Sequence, residues 1–171
     1  MVSTIKSVLT LPIMQPNLFN ILTNIQMPSQ SEPNELVGKL PQSIFHIESL
    51  REIHLANNEM TGKIPLEMES SVERLQINYN NFTGSIEFLS NFTNLTEARL
   101  DHNMFTGEIP STIGQMSNLR VLTLGDNSFS GSMPDEICLL RKEKELEFLE
   151  ADCGGPNPKI QCDCCTSCFG S

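Results

Sequence analysis

The sequence predicts an α/β solenoid in which each successive coil adds one short strand to a parallel sheet. Three observations predict it. An asparagine recurs at steps of 22 to 24 residues, apolar residues alternate before each asparagine, and a glycine turn that is usually closed by proline follows it. Self-similarity at such a period is typical of stacked repeats. Aromatic residues make up 6% of the chain, which suits a core spread along a line.

The strand of each coil is predicted from the residues that precede its asparagine. These residues follow an L-x-L alternation, which buries one face of a short strand. Because every coil enters in the same direction, neighbouring strands pair in parallel. The residues predicted to point into the core are Leu50, Ile53, Leu55, Val72, Leu75, Ile77, Leu95, Ala98, Leu100, Leu119, Leu122 and Leu124.

The recurring asparagines are predicted to close each coil. Where the chain leaves the strand, backbone groups lose their partners, and a buried asparagine can both donate to them and accept from them. We therefore predict a structural ladder whose members are Asn34, Asn58, Asn80, Asn103 and Asn127. The glycines that follow permit a positive φ, and the prolines bound a second short extended segment.

The pattern L-x-x-L-x-L-x-x-N-x-x-T/S-G-x-I-P resembles the plant-type leucine-rich repeat of plant receptor-kinase ectodomains and polygalacturonase-inhibiting proteins. The resemblance extends over about Asn34 to Cys168. It implies a right-handed leucine-rich repeat solenoid, or horseshoe, with the parallel sheet on the concave face and helical or 3₁₀ turns opposite. It also implies recognition of a protein, a peptide or a wall glycan.

The predicted organisation has three parts: an irregular or disordered segment at 1–33, repeats at 34–152 and a cysteine-rich cap at 153–171. An apolar stripe at helical spacing within the first part predicts a capping helix at 17–26. No stretch approaches the about 20 apolar residues that span a bilayer. The start of the chain has neither a long apolar run nor a small-residue cleavage site, so no signal peptide or anchor is predicted.

The C-terminal part is distinguished by its cysteines. Before them, the segment LLRKEKELEFL predicts a helix on the convex side. The six cysteines suggest a disulfide-bonded cap, a thiolate zinc site or free thiols, with the pairing open. They are Cys138, Cys153, Cys162, Cys164, Cys165 and Cys168. The tail ADCGGPNPKIQCDCCTSCF resembles the cap of diatom leucine-rich repeat proteins, and that resemblance implies an extracytoplasmic location.

The candidate binding residues lie between the inward positions of the strands and at the strand ends. The pattern predicts a central patch of mixed charge and a more apolar C-terminal end. An ordinary solvated sheet with cross-strand ion pairs is the alternative. The candidates are Glu52, His54, Arg74, Gln76, Asn78, Tyr79, Glu97, Arg99, Asp101, His102, Val121, Thr123, Asp126, Phe148 and Glu150.

The charge and the motifs limit the class of function. A formal charge of −10 without a basic run argues against nucleic acid or an anionic membrane as partner. No histidine is placed with a nucleophile, and we predict no enzyme, no cofactor and no metal site. We expect non-catalytic binding of a protein or peptide by a receptor-like ectodomain, either extracellular or at the cell surface.

Two other functions stay open. One is a wall- or glycan-associated structural protein or an inhibitor of a secreted enzyme, with a cell-wall glycan as a candidate partner. The other is a truncated paralogue without a partner. Glycosylation sequons begin at Asn81, Asn91 and Asn94, although composition alone predicts a similar number.

Overall fold

The computed structural model describes residues 36–46, 50–66, 71–143 and 146–170, which form one stack of coils. The predicted N-terminal segment 1–33, its helix at 17–26 and the first ladder position, Asn34, lie outside these ranges. Within the described ranges, every helix is too short or too polar to cross a membrane.

The main sheet is six-stranded and parallel, and consecutive coils supply its consecutive strands. This arrangement confirms the fold predicted from the repeat. The strands are β2 (Glu52–His54), β4 (Arg74–Gln76), β6 (Glu97–Arg99), β8 (Val121–Thr123), β11 (Phe148–Ala151) and β13 (Ser167–Cys168). Their order across the sheet is β13-β11-β8-β6-β4-β2. The last strand comes from the cysteine-rich tail, so the tail continues the sheet.

A second parallel sheet follows the asparagine of each coil and corresponds to the predicted second extended segment. Its strands are β1 (Val37–Lys39), β3 (Glu59–Gly62), β5 (Asn81–Gly84), β7 (Met104–Gly107) and β9 (Ser128–Phe129). Beside it, β10 (Gly131–Ser132) pairs with β12 (Ile160–Gln161) from the tail. The glycines at 62, 84, 107 and 131 have φ between +89° and +93°, a region that favours glycine.

In four coils of the described ranges, a short helical element forms the remaining side. Three are 3₁₀ turns, at Gln42–His46, Glu87–Asn91 and Ser111–Gln115, and one is the α-helix α1, Asp135–Glu143. The prediction of a helix over the whole LLRKEKELEFL segment is wrong at both ends. The helix starts earlier because Asp135 and Glu136 lie in its first turn, where acidic side chains favour the helix dipole. The end of the segment belongs to β11, where Leu149 is fully buried in the core.

The last 3₁₀ turn packs against α1 through a glycine. A β-carbon at Gly114 would lie 2.4 Å from the Cβ of Glu136 and 2.6 Å from its carbonyl carbon. Any side chain at position 114 would therefore overlap the backbone of the helix. Glycine is required here because it allows the close approach of two elements, whereas its φ is ordinary.

The core runs along the solenoid axis between the two sheets. All twelve residues predicted to point inward are 3% exposed or less, which confirms the repeat register. A row of phenylalanines continues the core beneath the second sheet. Phe82 stacks on Phe105 and Phe105 on Phe129, both at centroid distances of 6.4 Å. Each coil thus buries its apolar face against the next.

The asparagines form a ladder of hydrogen bonds between coils. Asn80 donates from Nδ2 to the carbonyl oxygens of Leu55 at 2.8 Å and Ile77 at 3.1 Å, and its Oδ1 accepts the backbone N–H of Met60 at 3.0 Å. Asn58, Asn103 and Asn127 make equivalent contacts. These bonds satisfy backbone groups that the turn removes from the strands.

The ladder ends with a carboxylate that lies two residues before the glycine at the asparagine position. Extending the asparagine column by 27 residues from Asn127 predicts Gly154 at the final position. In the structure, Asp152 is 7% exposed, and its carboxylate accepts the backbone N–H groups of Asp126 and Asn127. The pairing of Phe148 with Val121 keeps the 27-residue offset and agrees with Gly154 at the asparagine position, while Asp152 supplies the carboxylate from two residues earlier.

All six cysteines are joined in disulfides in this structure. Cys138 of α1 pairs with Cys164, Cys153 with Cys168, and Cys162 with Cys165. The sulfur atoms of Cys153, Cys162 and Cys165 lie within 4.8 Å of one another. A zinc site needs thiolates, and sulfurs held in disulfides are not thiolates. The zinc alternative therefore has no cysteine ligands in this oxidised arrangement.

Candidate functional site

The outward face of the main sheet carries two columns of candidate residues. Parallel pairing aligns equivalent positions of successive coils, and residues two apart on a strand share a face. The first column is Glu52, Arg74, Glu97, Val121 and Phe148, and the second is His54, Gln76, Arg99, Thr123 and Glu150. Both columns match those expected from the repeat alignment. We call this surface the recognition face.

The first coils of the recognition face are joined by a histidine. His54 Nε2 lies 2.9 Å from Glu52 Oε2, and His54 Nδ1 lies 2.9 Å from Gln76 Oε1. Arg74 forms an ion pair with Glu52 from the neighbouring strand. Both ring nitrogens of His54 thus face oxygen atoms, and the acidic charge of Glu52 is compensated within the face.

Glu97 continues this chain of contacts into the middle of the sheet. Gln76 Nε2 donates to Glu97 Oε1 at 2.9 Å, and Arg99 pairs with the same carboxylate. Burial alone raises the pKa of Glu97. The hydrogen bonds from Arg99 and Gln76, with the charges of Arg99 and Arg74, outweigh this effect and leave the pKa below its ordinary value. Acidic and basic groups therefore balance in this half of the face.

Thr123 is predicted to be an exposed binding residue, and the structure corrects this. It is only 4% exposed, although it lies in the second outward column. The longer side chains of Arg99 and Glu150 flank it on the adjacent strands. Its hydroxyl donates to the carboxylate of Asp101 on the neighbouring coil. Thr123 therefore positions Asp101 and offers little surface of its own to a partner.

The C-terminal half of the recognition face has an excess of acidic groups. Burial raises the pKa of Glu150 above its ordinary value, and the negative charge of Asp101 raises it further, while a hydrogen bond from Ser167 opposes the shift. Val121 and Phe148 lie beside these acids in the first column, and Phe148 is 38% exposed. This half thus combines negative charge with exposed apolar surface.

A third column follows the strands at their carboxyl ends. Asn57, Tyr79, His102 and Asp126 all have φ between +51° and +59°, a conformation uncommon outside glycine. The conformation recurs because these four coils make the same turn before their ladder asparagines. Beside this column, Oδ1 of Asn78 is buried and finds no hydrogen-bond donor in the described part of the chain.

Tyr79 and His102 form an aromatic pair in the third column. Their rings stack at a centroid distance of 4.0 Å with an interplanar angle of 17°. His102 Nδ1 lies 2.6 Å from Asp126 Oδ2 of the next coil. Tyr79 is 47% exposed, so the pair presents an aromatic surface to solvent. The ring of His102, which itself contacts Asp126, holds Tyr79 in place.

Phe169 is a residue of the recognition face that the sequence reasoning missed. Its ring meets that of His102 edge to face at a centroid distance of 5.1 Å. A β-carbon at Gly125 would lie 2.8 Å from the Cβ of Phe169 and 3.1 Å from Glu150 Oε1. The missing side chain at Gly125 therefore makes room for the tail. The only signal in the sequence was Gly125 itself, a residue without a side chain just after β8.

A groove on another side of the solenoid contains none of the candidate residues. It has a volume of about 610 Å³ and is lined by small and polar residues that include Ser85, Glu108, Pro110 and Ser132. Ser85, Glu108 and Pro110 follow strands of the second sheet, and Ser132 belongs to β10 beside it. The groove is thus separate from the recognition face.

Comparison with known proteins places the repeats in a known group. The Leucine Rich Repeat family matches residues 49–70, 94–116 and 118–140. Receptor-like protein 35 of Arabidopsis thaliana is 39% identical over 142 residues, which are 79% of this chain and 15% of that protein. The chain spans 11% to 17% of the lengths of eight such receptor-like proteins.

Two solved structures share both the fold and part of the sequence. The plant peptide hormone receptor RGFR1 in complex with RGF2 is 37% identical, with a TM-score of 0.62, over 70% of this chain and 20% of that one. The ectodomain of the Arabidopsis thaliana membrane receptor kinase GASSHO1/SCHENGEN3, in complex with CASPARIAN STRIP INTEGRITY FACTOR 2, is 30% identical. Its TM-score is 0.61, over 75% of this chain and 15% of that one.

These findings identify the fold as an α/β leucine-rich repeat solenoid of the plant type. The resemblance of the tail to the diatom cap stays a prediction.

Proposed function

We propose that this plant-type leucine-rich repeat solenoid binds a protein or peptide partner through its recognition face, as a non-catalytic, receptor-like module. The observation that carries the proposal is the exposed pair of Tyr79 and His102 on the margin of a parallel sheet. Tyrosine is enriched among residues that dominate binding energy. Repeat solenoids use their extended concave surface for binding.

The distribution of charge on the recognition face supports a polar, extended partner. Glu52 and Glu97 are compensated by Arg74 and Arg99. In the C-terminal half, burial and the negative charge of the nearby Asp101 raise the pKa of Glu150. A partner gains most there from a basic group, because a cation relieves the repulsion between the acids.

The exposed apolar residues supply the second feature that a peptide partner requires. Phe148 and Val121 lie next to each other on β11 and β8, and they border the acidic half of the face. Apolar anchors next to polar contacts are the usual composition of a binding patch. An extended peptide that packs an apolar side chain against Phe148 and Val121 also brings its neighbouring residues over the acidic half of the face.

The similar solved structures support a peptide ligand. One is of a peptide hormone receptor in complex with RGF2, and the other of a receptor kinase ectodomain in complex with CASPARIAN STRIP INTEGRITY FACTOR 2. We extend this kind of ligand to the present chain as part of the proposal. No comparison supports the alternative of a wall-associated glycan binder.

The disulfides support an extracellular or cell-surface location for this function. Three disulfides among six cysteines are typical of an oxidising compartment. The receptor-like proteins to which the chain is similar agree with that location. The location and the ligand are therefore proposed together.

The proposal can be tested by selecting peptides from a random displayed library on the purified chain. Selected peptides are synthesised and their dissociation constants measured by calorimetry. We expect Tyr79→Ala to weaken binding roughly 10-fold or more, because truncated interface anchors commonly cost above 1 kcal/mol. Met104→Ala is the matched control, since Met104 is 53% exposed on the second sheet.

A second variant examines the charged part of the face. Arg99→Glu reverses a charge that pairs with Glu97, and we expect it to change peptide affinity and its salt dependence. Equal affinities for the native chain, Tyr79→Ala and Arg99→Glu would overturn the proposed face. Retention of oligosaccharides but of no peptide would instead favour the structural, glycan-associated alternative.

A further inference from the structure

The three glycosylation sequons lie in different structural environments. Asn94 is exposed in the turn at 93–94, between the 3₁₀ turn Glu87–Asn91 and strand β6. Its side chain makes no hydrogen bond to any residue in the described ranges. The adjacent Leu95 is fully buried and is one of the core residues of the repeat. Position 94 is therefore held by the fold while its own side chain projects into solvent.

Asn91 is committed to an interaction within the fold. It is the last residue of the 3₁₀ turn, is half-buried, and donates from Nδ2 to the carbonyl oxygen of Leu66 at 2.5 Å. A sugar is attached to this same nitrogen in N-glycosylation. A glycan on Asn91 would begin at this nitrogen, which retains one N–H, and would crowd the space next to Leu66 of the preceding coil.

Asn81 lies in a regular strand. Its whole sequon, Asn81 to Thr83, falls within β5, which is paired on one side with β3 and on the other with β7. Asn81 is half-buried, and Phe82 next to it is fully buried. Adjacent strands are about 4.8 Å apart, so a glycan at a central strand would crowd the side chains on both sides.

We propose that Asn94 is the N-glycosylated residue of the three sequons. In this step the Asn94 amide nitrogen loses a proton and bonds to the first sugar carbon of a lipid-linked oligosaccharide pyrophosphate. The bond from that carbon to the pyrophosphate oxygen breaks, and the lipid pyrophosphate leaves. No electron transfer is involved. The step rests on the extracellular location proposed above, which the disulfides support, because the donor is supplied on that route.

The position of Asn94 also separates the glycan from the recognition face. Asn94 precedes β6, whereas Tyr79 and His102 follow their strands at the opposite, carboxyl ends. The glycan therefore covers the flank at which the chain enters the main sheet. That flank faces solvent, and the aromatic flank stays accessible.

The next coil provides a matched gain-of-glycan variant. Asn118 occupies the equivalent exposed turn at 117–118, but its sequence, Asn118-Leu119-Arg120, lacks the required hydroxyl residue. Arg120→Thr completes a sequon there. The substitution removes an ion pair between Arg120 and Glu147, both of which are half or more exposed, and such pairs contribute little to stability.

The experiment expresses the native chain and four variants in a eukaryotic secretory host and measures intact mass before and after enzymatic deglycosylation. We expect one glycan on the native chain, none on Asn94→Gln, and an unchanged glycan on Asn81→Gln and Asn91→Gln. Arg120→Thr is expected to carry two. Circular dichroism of the deglycosylated proteins checks that each variant is folded.

Two results would overturn the assignment. One is a secreted, folded native chain with no glycan. The other is a glycan that persists in Asn94→Gln and disappears in Asn81→Gln or Asn91→Gln. A failure of Arg120→Thr to gain a glycan would contradict the argument that this turn, rather than the local sequence alone, makes the site accessible. None of these results depends on the peptide proposed for the recognition face.

Discussion

Asp152 accepts the backbone N–H of Asn127 at 3.1 Å and thereby closes the asparagine ladder with a carboxylate. The other carboxylate oxygen accepts the N–H of Asp126 at 2.8 Å. A carboxylate suits this position because it offers two acceptors and meets two donors. Lys159 Nζ lies 3.7 Å from the carboxylate and donates to the carbonyl oxygen of Asn127 at 2.8 Å, which balances the buried charge.

Replacement of Asp152 should therefore destabilise the last coil in a graded way. Asp152→Ala leaves one buried and one partly buried N–H group without acceptors, and we expect a loss of about 2–4 kcal/mol in the free energy of unfolding. Asp152→Asn keeps one acceptor and should lie between this variant and the native chain. Urea unfolding followed by circular dichroism measures both. Equal stability of Asp152→Ala and the native chain would show that other groups or water satisfy these donors.

Gly114→Ala should disrupt the contact between the last 3₁₀ turn and α1. The added carbon would lie 2.6 Å from the carbonyl carbon of Glu136, so the helix backbone must move. Such overpacking costs about 1–3 kcal/mol. Gln115→Ala, at an exposed position on the same turn, serves as the control and should change stability by less than about 0.5 kcal/mol. Thermal unfolding of the two variants, compared with the native chain, measures the difference.

The three disulfides should differ in their contribution to stability. They close sequence separations of 26, 15 and 3 residues. The chain-entropy relation then predicts about 3.5, 3 and 1.6 kcal/mol, respectively, at 25 °C. Paired Cys→Ala variants of Cys138 and Cys164 should therefore be least stable, and those of Cys162 and Cys165 most stable, in urea unfolding.

The disulfides themselves can be checked by intact mass with and without reduction. A gain of about one hydrogen per cysteine on reduction is expected for a fully oxidised chain. If all six thiols instead react with an alkylating reagent before reduction, the oxidised arrangement is wrong and the zinc alternative becomes testable by metal analysis.

The opposite pKa shifts of Glu150 and Glu97 predict opposite effects of pH. The pKa of Glu150 is raised in the folded chain. Its contribution to stability is therefore fully present below its ordinary pKa and is lost as pH rises through the raised pKa. Glu150→Gln mimics the protonated form. It should therefore be more stable than the native chain at neutral pH, and the difference should disappear in acid.

Glu97 should behave in the reverse sense because its pKa is lowered. Its contribution to stability is present above its ordinary pKa and is lost as pH falls through the lowered pKa of the folded chain. Glu97→Gln should thus be less stable than the native chain at neutral pH and approach it in acid. Melting temperatures of both variants between neutral and acid pH give the test. Parallel curves for the two variants would contradict the assigned shifts.

Much of the fold could be predicted because each repeat position meets the same local requirement in every coil. Leu122 lies one coil from Ala98 and one from Leu149, and all three are fully buried. The register of the outward columns follows from the same period. Glu97 therefore lies between Arg74 and Val121 on its neighbouring strands, as the alignment indicates.

The candidate site was less predictable where the period is interrupted. Thr123 has an outward position in the repeat but is buried between longer neighbours, which depends on side chains from two other coils. Phe169 reaches the face from the tail through space left by Gly125. Its place depends on the pairing of β13 with β11, and no repeat position encodes that pairing.

The sequence alone determined the coils, the inward leucines and the ladder asparagines of the repeats, because burial, hydrogen bonding and backbone conformation are set within one period. Only the tertiary structure decided which cysteines pair, how Asp152 ends the ladder and where the tail meets the recognition face. Those features join residues whose separation in the sequence is not set by the repeat, such as Cys138 with Cys164 and His102 with Phe169. Their geometry therefore arises only when the coils have stacked.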